Sequence, residues 1–201
     1  MPRPRAAETR ERIVEQVAPL FNLRGYGATT MHDVVEVTGL EKGGIYNHFR
    51  TKEDLALSAY DRNAGLQGEL IAERVKAAGS NAVDRLVAIV RAFRDFAHDP
   101  PIPGGCPTLN LAVETANVHP RLHEAAQTRM GMLLELVIGQ LQRGIARGEI
   151  RRDVDPETEA SVLAAAVEGA LLLDQLFADA SHVDRVTDHL ERHVHSLAPE
   201  A

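Results

Sequence analysis

The 201-residue sequence contains no tryptophan, and aromatic residues make up only 4% of it. So few aromatic side chains argue against a protein that stacks single-stranded bases and against a large β-sandwich. Cys106 is the only cysteine, so no disulfide can form within the chain, which fits a reducing cytoplasm. No apolar run approaches the roughly 20 residues of a membrane-spanning helix, and the charged start lacks the apolar stretch of a secretory signal. We therefore expect a cytoplasmic protein.

Charge is distributed unevenly along the chain. The whole sequence has 22 basic and 29 acidic residues and a net charge of −7. Residues 1–67 have equal numbers of each sign, so residues 68–201 carry the entire excess of negative charge. A neutral head on an acidic body suits a nucleic-acid binder that touches phosphate only with its head. Because the head is not strongly basic, a chance fluctuation of surface charge explains the same numbers equally well.

Helical periodicity runs through almost every segment, and no segment has the sustained alternation of a strand. We predict an all-α fold of about nine helices: residues 8–24, 31–37, 42–49, 51–77, one after 79–81, then 106–117, about 120–147, 156–178 and 181–197. The clearest loop covers residues 99–105, where three prolines and two glycines oppose a helix. The character of the sequence changes near residue 67, which predicts two domains.

Three short helices near the start, with a glycine-containing turn between the second and third, form a helix-turn-helix pattern over residues 30–49. Thr30 and Asp33 have the spacing of a capping box at the start of the second helix. Gly39 supplies the backbone conformation that a tight turn needs. Apolar residues can hold the two helices at a fixed crossing angle; they are Met31, Val34, Val35, Leu40 and Ile45.

The third helix has an unusual composition. Gly43 and Gly44 each weaken a helix by roughly 1 kcal/mol, yet without side chains they let the backbone approach a phosphate or a base edge. Hydrogen-bond donors suited to such contacts surround them; these are Lys42, Tyr46, Asn47, His48 and Lys52. The pattern indicates contact with DNA.

Residues 7–67 resemble the DNA-binding domain of the TetR family of transcriptional regulators. The residues that carry the resemblance are Thr9-Arg10, Ile13, Ala18, Leu20-Phe21, Gly25-Tyr26, Thr29-Thr30, Val34-Val35, Thr38-Gly39-Leu40, the run 42–49, Lys52-Glu53 and Leu55. Gly44 departs from the family, which more often has Ala, Ser or Thr there, and His32-Asp33 is less usual. These departures affect particular base contacts.

The resemblance implies a set of DNA-contacting residues, namely Thr30, Lys42, Gly43, Gly44, Tyr46, Asn47, His48 and Lys52. Lys42 and the two glycines would enter the major groove. Thr30 would also cap the second helix, Asn47 would contact a base or a phosphate, and the other side chains would hold phosphates. Arg3 and Arg5 would reach the neighbouring minor groove or would simply be solvated.

In this family the C-terminal domain, here residues 68–201, diverges, binds a small molecule and forms a dimer through its last two long helices. The segment 162–177 is apolar over more than one face, so a helix there must be buried. A second copy can bury it through a two-fold interface, or the core of the monomer can. The candidate interface residues are Ala165, Gly169, Leu173 and Leu176.

Three residues of the helix after the 99–105 loop are candidates for sensing an effector. Cys106 lies at the N-terminus of this helix, a position that favours a thiolate. It either senses oxidants or electrophiles, as in one subgroup of the family with Gly-Cys at this junction, or packs as a small apolar residue. Asn110 and Glu114, one turn apart, either line a pocket or face water.

Two histidine pairs have a spacing that can hold a metal on one helix face: His119 with His123, and His189 with His193. Neither pair has a further acidic or thiol ligand at a compelling spacing, so surface histidines are the better interpretation and we expect no metal. The sequence also lacks a nucleophile–base motif, a Gly-rich phosphate loop and HExxH, which argues against an enzyme.

Together these features predict a homodimeric transcriptional regulator, and a repressor in particular. A small molecule, or modification of the thiol, would act on the C-terminal domain and release the dimer from a palindromic operator. The alternative is a helical architectural or adaptor protein that binds DNA but has no effector pocket.

Overall fold

The computed structural model describes residues 4–199, but not the side chains of Pro4 and Arg5. The minor-groove contacts predicted for Arg3 and Arg5 therefore lie outside the described residues. The described part of the chain is all-α and has nine helices, which confirms the predicted fold class. The helices are α1 (Pro4–Ala28), α2 (Met31–Thr38), α3 (Lys42–Tyr46), α4 (Lys52–Ala77), α5 (Ala82–His98), α6 (Pro107–Thr115), α7 (Pro120–Arg147), α8 (Pro156–Phe177) and α9 (Ser181–Ser196).

Local signals in the sequence set the start and the end of α2. The Thr30 hydroxyl accepts a hydrogen bond from the Asp33 N–H at 3.2 Å, and the Asp33 carboxylate accepts one from the Thr30 N–H at 2.7 Å. The predicted capping box is thus confirmed. At the other end Gly39 adopts a left-handed conformation, φ 65°, and its N–H donates to the carbonyl of Val35.

Two helix ends differ from the prediction. Helical structure continues past Gly25 to Ala28, although Gly25 itself, at φ 81° and ψ 167°, interrupts it. In the other direction, α3 ends at Tyr46 and not at residue 49. The His48 N–H donates to the carbonyl of Ile45, a tighter bond than an α-helix has, so Asn47 and His48 lie in a turn that follows α3.

Contacts between Cα atoms divide the chain into two compact units. The first contains residues up to 66 together with 102–127, and the second contains 67–101 with the residues from 128 onward. The predicted division into a DNA-binding segment, 7–67, and an effector-binding and dimerisation segment, 68–201, is a division by function and stays a prediction. Helix α6, which it places in the second segment, belongs to the first compact unit.

Each unit has its own apolar core. In the first unit the buried side chains of α1 to α4 meet around Ile13, Val34, Ile45 and Leu55, each at most 1% exposed. In the second unit α5 packs against α8 and α9. The core residues there include Leu86, Val90, Phe96, Val183, Leu190 and Val194. Arg94 ties α5 to α9, because its guanidinium donates to the Thr187 hydroxyl at 2.8 Å.

Helix α8 is more apolar than the sequence analysis suggested. Among the described residues it is the one helix long and apolar enough, by length and composition only, to cross a membrane. An 18-residue window of it has a mean hydropathy of 1.5, although Glu168 and Asp174 interrupt the apolar run. Only 39% of that window is buried within the chain, so α8 leaves an apolar surface exposed. Length and composition are weak evidence for a membrane span, since core helices of soluble proteins can be equally long and apolar.

Candidate nucleic-acid interface

Helix α3 has one face in the core of the first unit and the other in solvent. Ile45, 1% exposed, and Phe49, 3% exposed, anchor the segment in that core. Lys42, Gly43 and Tyr46 are exposed on the opposite side. The Lys42 ammonium lies 5.9 Å from the centre of the Tyr46 ring, so a positive charge and a phenol stand side by side on the outer surface.

The glycines of α3 are not required by the packing of the protein. A Cβ atom added to Gly43 would meet nothing within 4 Å, and one added to Gly44 would meet only the Cβ of Leu40 at 3.9 Å. Neither glycine has a positive φ. Neither the core nor the backbone conformation therefore requires glycine at these two positions.

Thr30 is exposed at the start of α2, close to α3 in the sequence. Its hydroxyl donates to the Asp33 carboxylate at 2.6 Å. This hydrogen bond, the backbone bond from the same residue and the nearby Arg24 guanidinium hold the pKa of Asp33 below its ordinary value. The structure therefore supports the capping role of Thr30. The phosphate contact stays a prediction.

Lys52 has a different environment from the one its predicted role requires. Its ammonium donates to the carbonyl oxygen of Tyr26 and lies 4.4 Å from the centre of the Tyr26 ring. Burial lowers the pKa of Lys52, while the carboxylates of Glu114 and Asp33 oppose that shift. The side chain is therefore engaged inside the first unit, and a phosphate would have to compete with these contacts.

Cys106 is 2% exposed and caps α6, where its sulfur accepts the N–H of Leu109 at 3.5 Å. Thiol chemistry requires access by a reagent, so this burial favours the interpretation of Cys106 as a packed core residue. Sensing by this thiol stays a prediction.

Glu114 binds the backbone at the end of α1, a contact that the sequence analysis missed. One carboxylate oxygen accepts the N–H of Tyr26 and the other accepts the N–H of Gly27, each at 2.7 Å. A Cβ atom added to Gly25 would lie 2.7 Å from the Glu114 carboxylate, so only glycine leaves room for it. We call this contact the Glu114 clamp. It holds the end of α1 immediately before α2, and the pair of glycines at 25 and 27 was the signal in the sequence that could have indicated it.

Asn110 and Glu114 border the same cleft in the first unit, which is partly open to solvent and has about 30 Å³ of free space; Cys106 is not among the residues that line it. A second pocket, with about 10 Å³ of free space, lies in the second unit. Its lining is entirely apolar and consists of Leu86, Ile89, Val90, Phe93, Leu133, Val137, Leu163, Ala164 and Val167. The sequence analysis assigned none of these residues to an effector site, because side chains that line a pocket and side chains that fill a core have the same periodicity.

The histidines have structural contacts. The His119 ring packs edge-on against Tyr26 with the ring centres 4.7 Å apart, and His193 Nε2 lies 2.8 Å from a carboxylate oxygen of Glu159. Within residues 4–199 no group of three or more His, Cys, Asp or Glu side chains could hold a metal ion.

The exposed apolar side of α8 has the spacing of a helix–helix seam. Residues alternate three and four apart along it, which is the heptad spacing of packed helices. We call this surface the α8 seam, and it comprises Val162, Ala165, Gly169, Leu172 and Leu176. Leu172 is 53% exposed, Leu176 is 67% exposed and the neighbouring Leu173 is 37% exposed. The predicted interface residues Ala165, Gly169, Leu173 and Leu176 thus lie on or beside this one surface.

Comparison with known proteins places these features in a family. Residues 13–59 match the family model described as "Bacterial regulatory proteins, tetR family", and residues 82–190 match "Tetracyclin repressor-like, C-terminal domain". The crystal structure of a TetR transcriptional regulator from Chloroflexus aurantiacus is 40% identical, with a TM-score of 0.91, and the alignment covers 96% of each chain.

Two further relatives are informative. The HTH-type transcriptional repressor AcnR of Corynebacterium diphtheriae is 24% identical over 94% of this chain and 93% of its own. The regulator CifR, solved as a cysteine mutant complexed with 26bp double-strand operator DNA, is 20% identical and has a TM-score of 0.81. That alignment covers 90% of this chain and 94% of the other, and it shows a shared fold.

Proposed function

Since the chain belongs to the TetR family of transcriptional regulators, we propose that it is a dimeric repressor whose two copies of α3 enter successive major grooves of a palindromic operator. Regulators of this family bind operator DNA as dimers, respond to small-molecule effectors and are not enzymes. A regulator of this kind acts in the compartment that contains its operator, and we therefore propose that it is cytoplasmic. The alternative of an architectural DNA binder without an effector pocket is not favoured.

The exposed face of α3 is the observation that carries the DNA-binding proposal. Lys42 and Tyr46 offer a charge and a hydroxyl to phosphate, and the backbone at Gly43 and Gly44 is open to solvent. With no side chain at Gly43, the backbone of α3 can approach a phosphate or a base edge closely, whereas at Gly44 other members of the family accommodate a small side chain. Asn47 and His48, in the turn that follows, would contact the same groove or its edge.

Operator selection tests this proposal. The wild-type protein, given a pool of random duplexes, is expected to enrich a palindrome whose half-sites are centred about one helical turn, roughly 34 Å, apart. Two subunits should bind per duplex, and the affinity should fall steeply as salt rises, because each phosphate contact releases counterions. Enrichment of no sequence, or binding with one subunit per site, would contradict the proposal.

We assign the effector to the apolar pocket of the second unit. No polar side chain lines it, so a charged or strongly polar ligand would lose its hydration there without any replacement. An uncharged apolar molecule suits such a site, and the helices around it must move apart to admit one, because the closed pocket has only about 10 Å³ of free space, roughly that of one water molecule. A ligand that binds better to a form of the body unsuited to the operator would shift the population away from DNA.

Filling the pocket tests the effector assignment. The uncharged fluorophore N-phenyl-1-naphthylamine is expected to bind the wild type saturably, and Ala164→Phe should weaken that binding by about tenfold, because the added ring occupies the pocket. The matched control is Ala77→Phe, which adds the same ring at the exposed end of α4. Equal binding by wild type and both variants would place the ligand elsewhere.

A further inference from the structure

The cleft of the first unit is distinct from the apolar pocket, and its walls are partly polar. We call it the amide cleft, and it lies among α1, α4 and α6. The residues that line it are Phe21, Asn22, Gly25, Tyr26, Ala56, Tyr60, Asn63, Pro107, Asn110, Leu111 and Glu114. All of them belong to one compact unit. Three of the polar residues are asparagines, one from each of the three helices.

Asn63 has a hydrogen-bond acceptor that the protein does not use. The side chain is only 2% exposed, and its amide N–H donates to the carbonyl oxygen of Ala18 at 2.8 Å. The side-chain oxygen Oδ1 is buried and has no partner among the described residues. Most buried side-chain polar atoms in native proteins have a partner, because an unpaired one loses its hydrogen bonds to water without any replacement. Asn63 Oδ1 is thus an unused acceptor, and because it has almost no exposed surface, a donor in the cleft reaches it only if the neighbouring side chains move.

The side-chain amides of Asn22 and Asn110 already have partners in the protein. The Asn22 amide donates to the carbonyl oxygens of Pro103 and Gly105, at 2.8 and 3.1 Å. The Asn110 amide donates to the carbonyl oxygen of Gly104 at 2.6 Å. The buried lining atom that has no partner is an acceptor, Asn63 Oδ1, so the complementary ligand is one that donates a hydrogen bond to it.

The charge of the cleft also favours a ligand that donates hydrogen bonds. Glu114 is the one carboxylate among the lining residues, and each of its oxygens accepts a single N–H although it has two lone pairs. Burial and the carboxylates of Glu53 and Glu114 raise the pKa of Tyr26, so its phenol stays neutral near pH 7. The ionised group among the lining residues is therefore negative. The Lys52 ammonium, which lies against Tyr26, already offsets part of this charge, but the unused lone pairs of the carboxylate still favour a ligand that donates charge-assisted hydrogen bonds.

We propose that the amide cleft binds a small organic cation with N–H donors, in its simplest form a primary alkylammonium. The ammonium donates to Asn63 Oδ1 and is attracted by the Glu114 carboxylate. The alkyl chain packs against the apolar part of the wall, at Phe21, Ala56 and Leu111. This site is separate from the apolar pocket, and the proposal does not depend on the repressor function.

Three probes of similar length but different charge test the ligand class: n-butylammonium, 1-butanol and butyrate. Each is titrated into the full-length wild-type protein, and binding is followed by backbone amide NMR shifts. Butylammonium is expected to shift the signals of Asn63 and Leu111 saturably, and to bind at least about tenfold more tightly than 1-butanol, since a charge-assisted hydrogen bond is roughly twice as strong as a neutral one. Butyrate should produce no saturable shift. No saturable shift with butylammonium, or equal affinity for all three probes, would overturn the proposal and leave ordered water as the partner of Asn63.

Two variants test whether butylammonium binds specifically in the amide cleft or acts through a general salt effect. Asn63→Leu removes the free acceptor and should weaken butylammonium binding by about tenfold. Because this variant could also fold poorly, Glu114→Gln provides a second test: it removes the charge and should weaken binding several-fold. Its amide can accept only one of the two N–H groups of the Glu114 clamp, so binding is compared at a temperature where denaturant unfolding shows both variants to be folded. The matched control is Glu11→Gln, an exposed carboxylate of α1 outside the cleft, which should bind like the wild type. Equal effects of Glu114→Gln and Glu11→Gln would overturn the proposal. Operator binding plays no part in this measurement, so its outcome leaves the repressor proposal unaffected.

Discussion

Replacement of both Leu172 and Leu176 by glutamate is expected to convert the dimer into a monomer and to weaken operator binding by at least about 100-fold. The two leucines are 53% and 67% exposed on the α8 seam, so their loss does not disturb the core of the chain. In a two-fold interface each substitution acts twice. The dimer would lose the burial of four leucine side chains, each contributing roughly 1.5–3 kcal/mol when fully buried, and would bring four carboxylates together.

The loss of operator affinity follows from the loss of the dimer. When one head of a dimer is bound, the second binds its half-site at a high effective concentration, and a monomer lacks this advantage. The oligomeric state is measured by sedimentation equilibrium, and operator affinity by titration of the same samples. The control for oligomeric state is Leu23→Glu, an equally drastic change at a 59% exposed leucine of α1, which should remain dimeric. A double variant that stays dimeric at micromolar concentration would refute the assignment of the interface to the α8 seam.

The second large effect is expected at Gly25. Gly25→Ala should lower the free energy of unfolding by about 2–4 kcal/mol, because φ 81° with ψ 167° is a conformation essentially restricted to glycine and because the new methyl group would displace the Glu114 carboxylate. Operator affinity should fall as well, because the Glu114 clamp holds the end of α1 from which the chain enters α2. Both quantities are measured on the same variant, by denaturant unfolding and by operator titration.

A double-mutant cycle separates the two causes. In a Glu114→Ala background the methyl group of Gly25→Ala no longer meets a carboxylate, so only the backbone strain should remain. The cost of Gly25→Ala should therefore be smaller in that background than in the wild type. If Gly25→Ala lowers the free energy of unfolding equally in the two backgrounds, the Glu114 clamp is not coupled to Gly25 and does not explain the glycine at this position.

What the sequence predicted correctly depends on local interactions. The capping box of Thr30 and Asp33 spans three residues, and Gly39 ends α2 within its own turn. Signals of this range are visible in the sequence, as is the apolar stripe that anchors α3 in the core. The end of α3 was predicted three residues too late, because a tighter bond from His48 to Ile45 competes with the helical pattern there.

What the sequence analysis missed depends on contacts between distant residues. Glu114 meets the N–H of Tyr26 across 88 positions of the chain, and Lys52 meets the carbonyl of the same residue across 26. Neither pairing leaves a periodic pattern, so the sequence could not show that Glu114 and Lys52 contact Tyr26. Glu114 does border a cleft, and the phosphate contact of Lys52 stays a prediction. The apolar pocket of the second unit could not be predicted either, because its volume depends on how α5, α7 and α8 pack against one another.

The central claim is that the exposed face of α3 is the surface that touches DNA, and the most direct measurement is the operator affinity of variants at that face. Lys42→Ala and Tyr46→Ala should each weaken binding by about tenfold, and Lys42→Ala should also reduce the salt dependence by about one counterion. The control is Lys76→Ala, which removes one exposed positive charge from the last turn of α4. Tenfold losses at Lys42 and Tyr46 with unchanged binding for the control are the result the account predicts; affinities within twofold of the wild type for all three variants would contradict it.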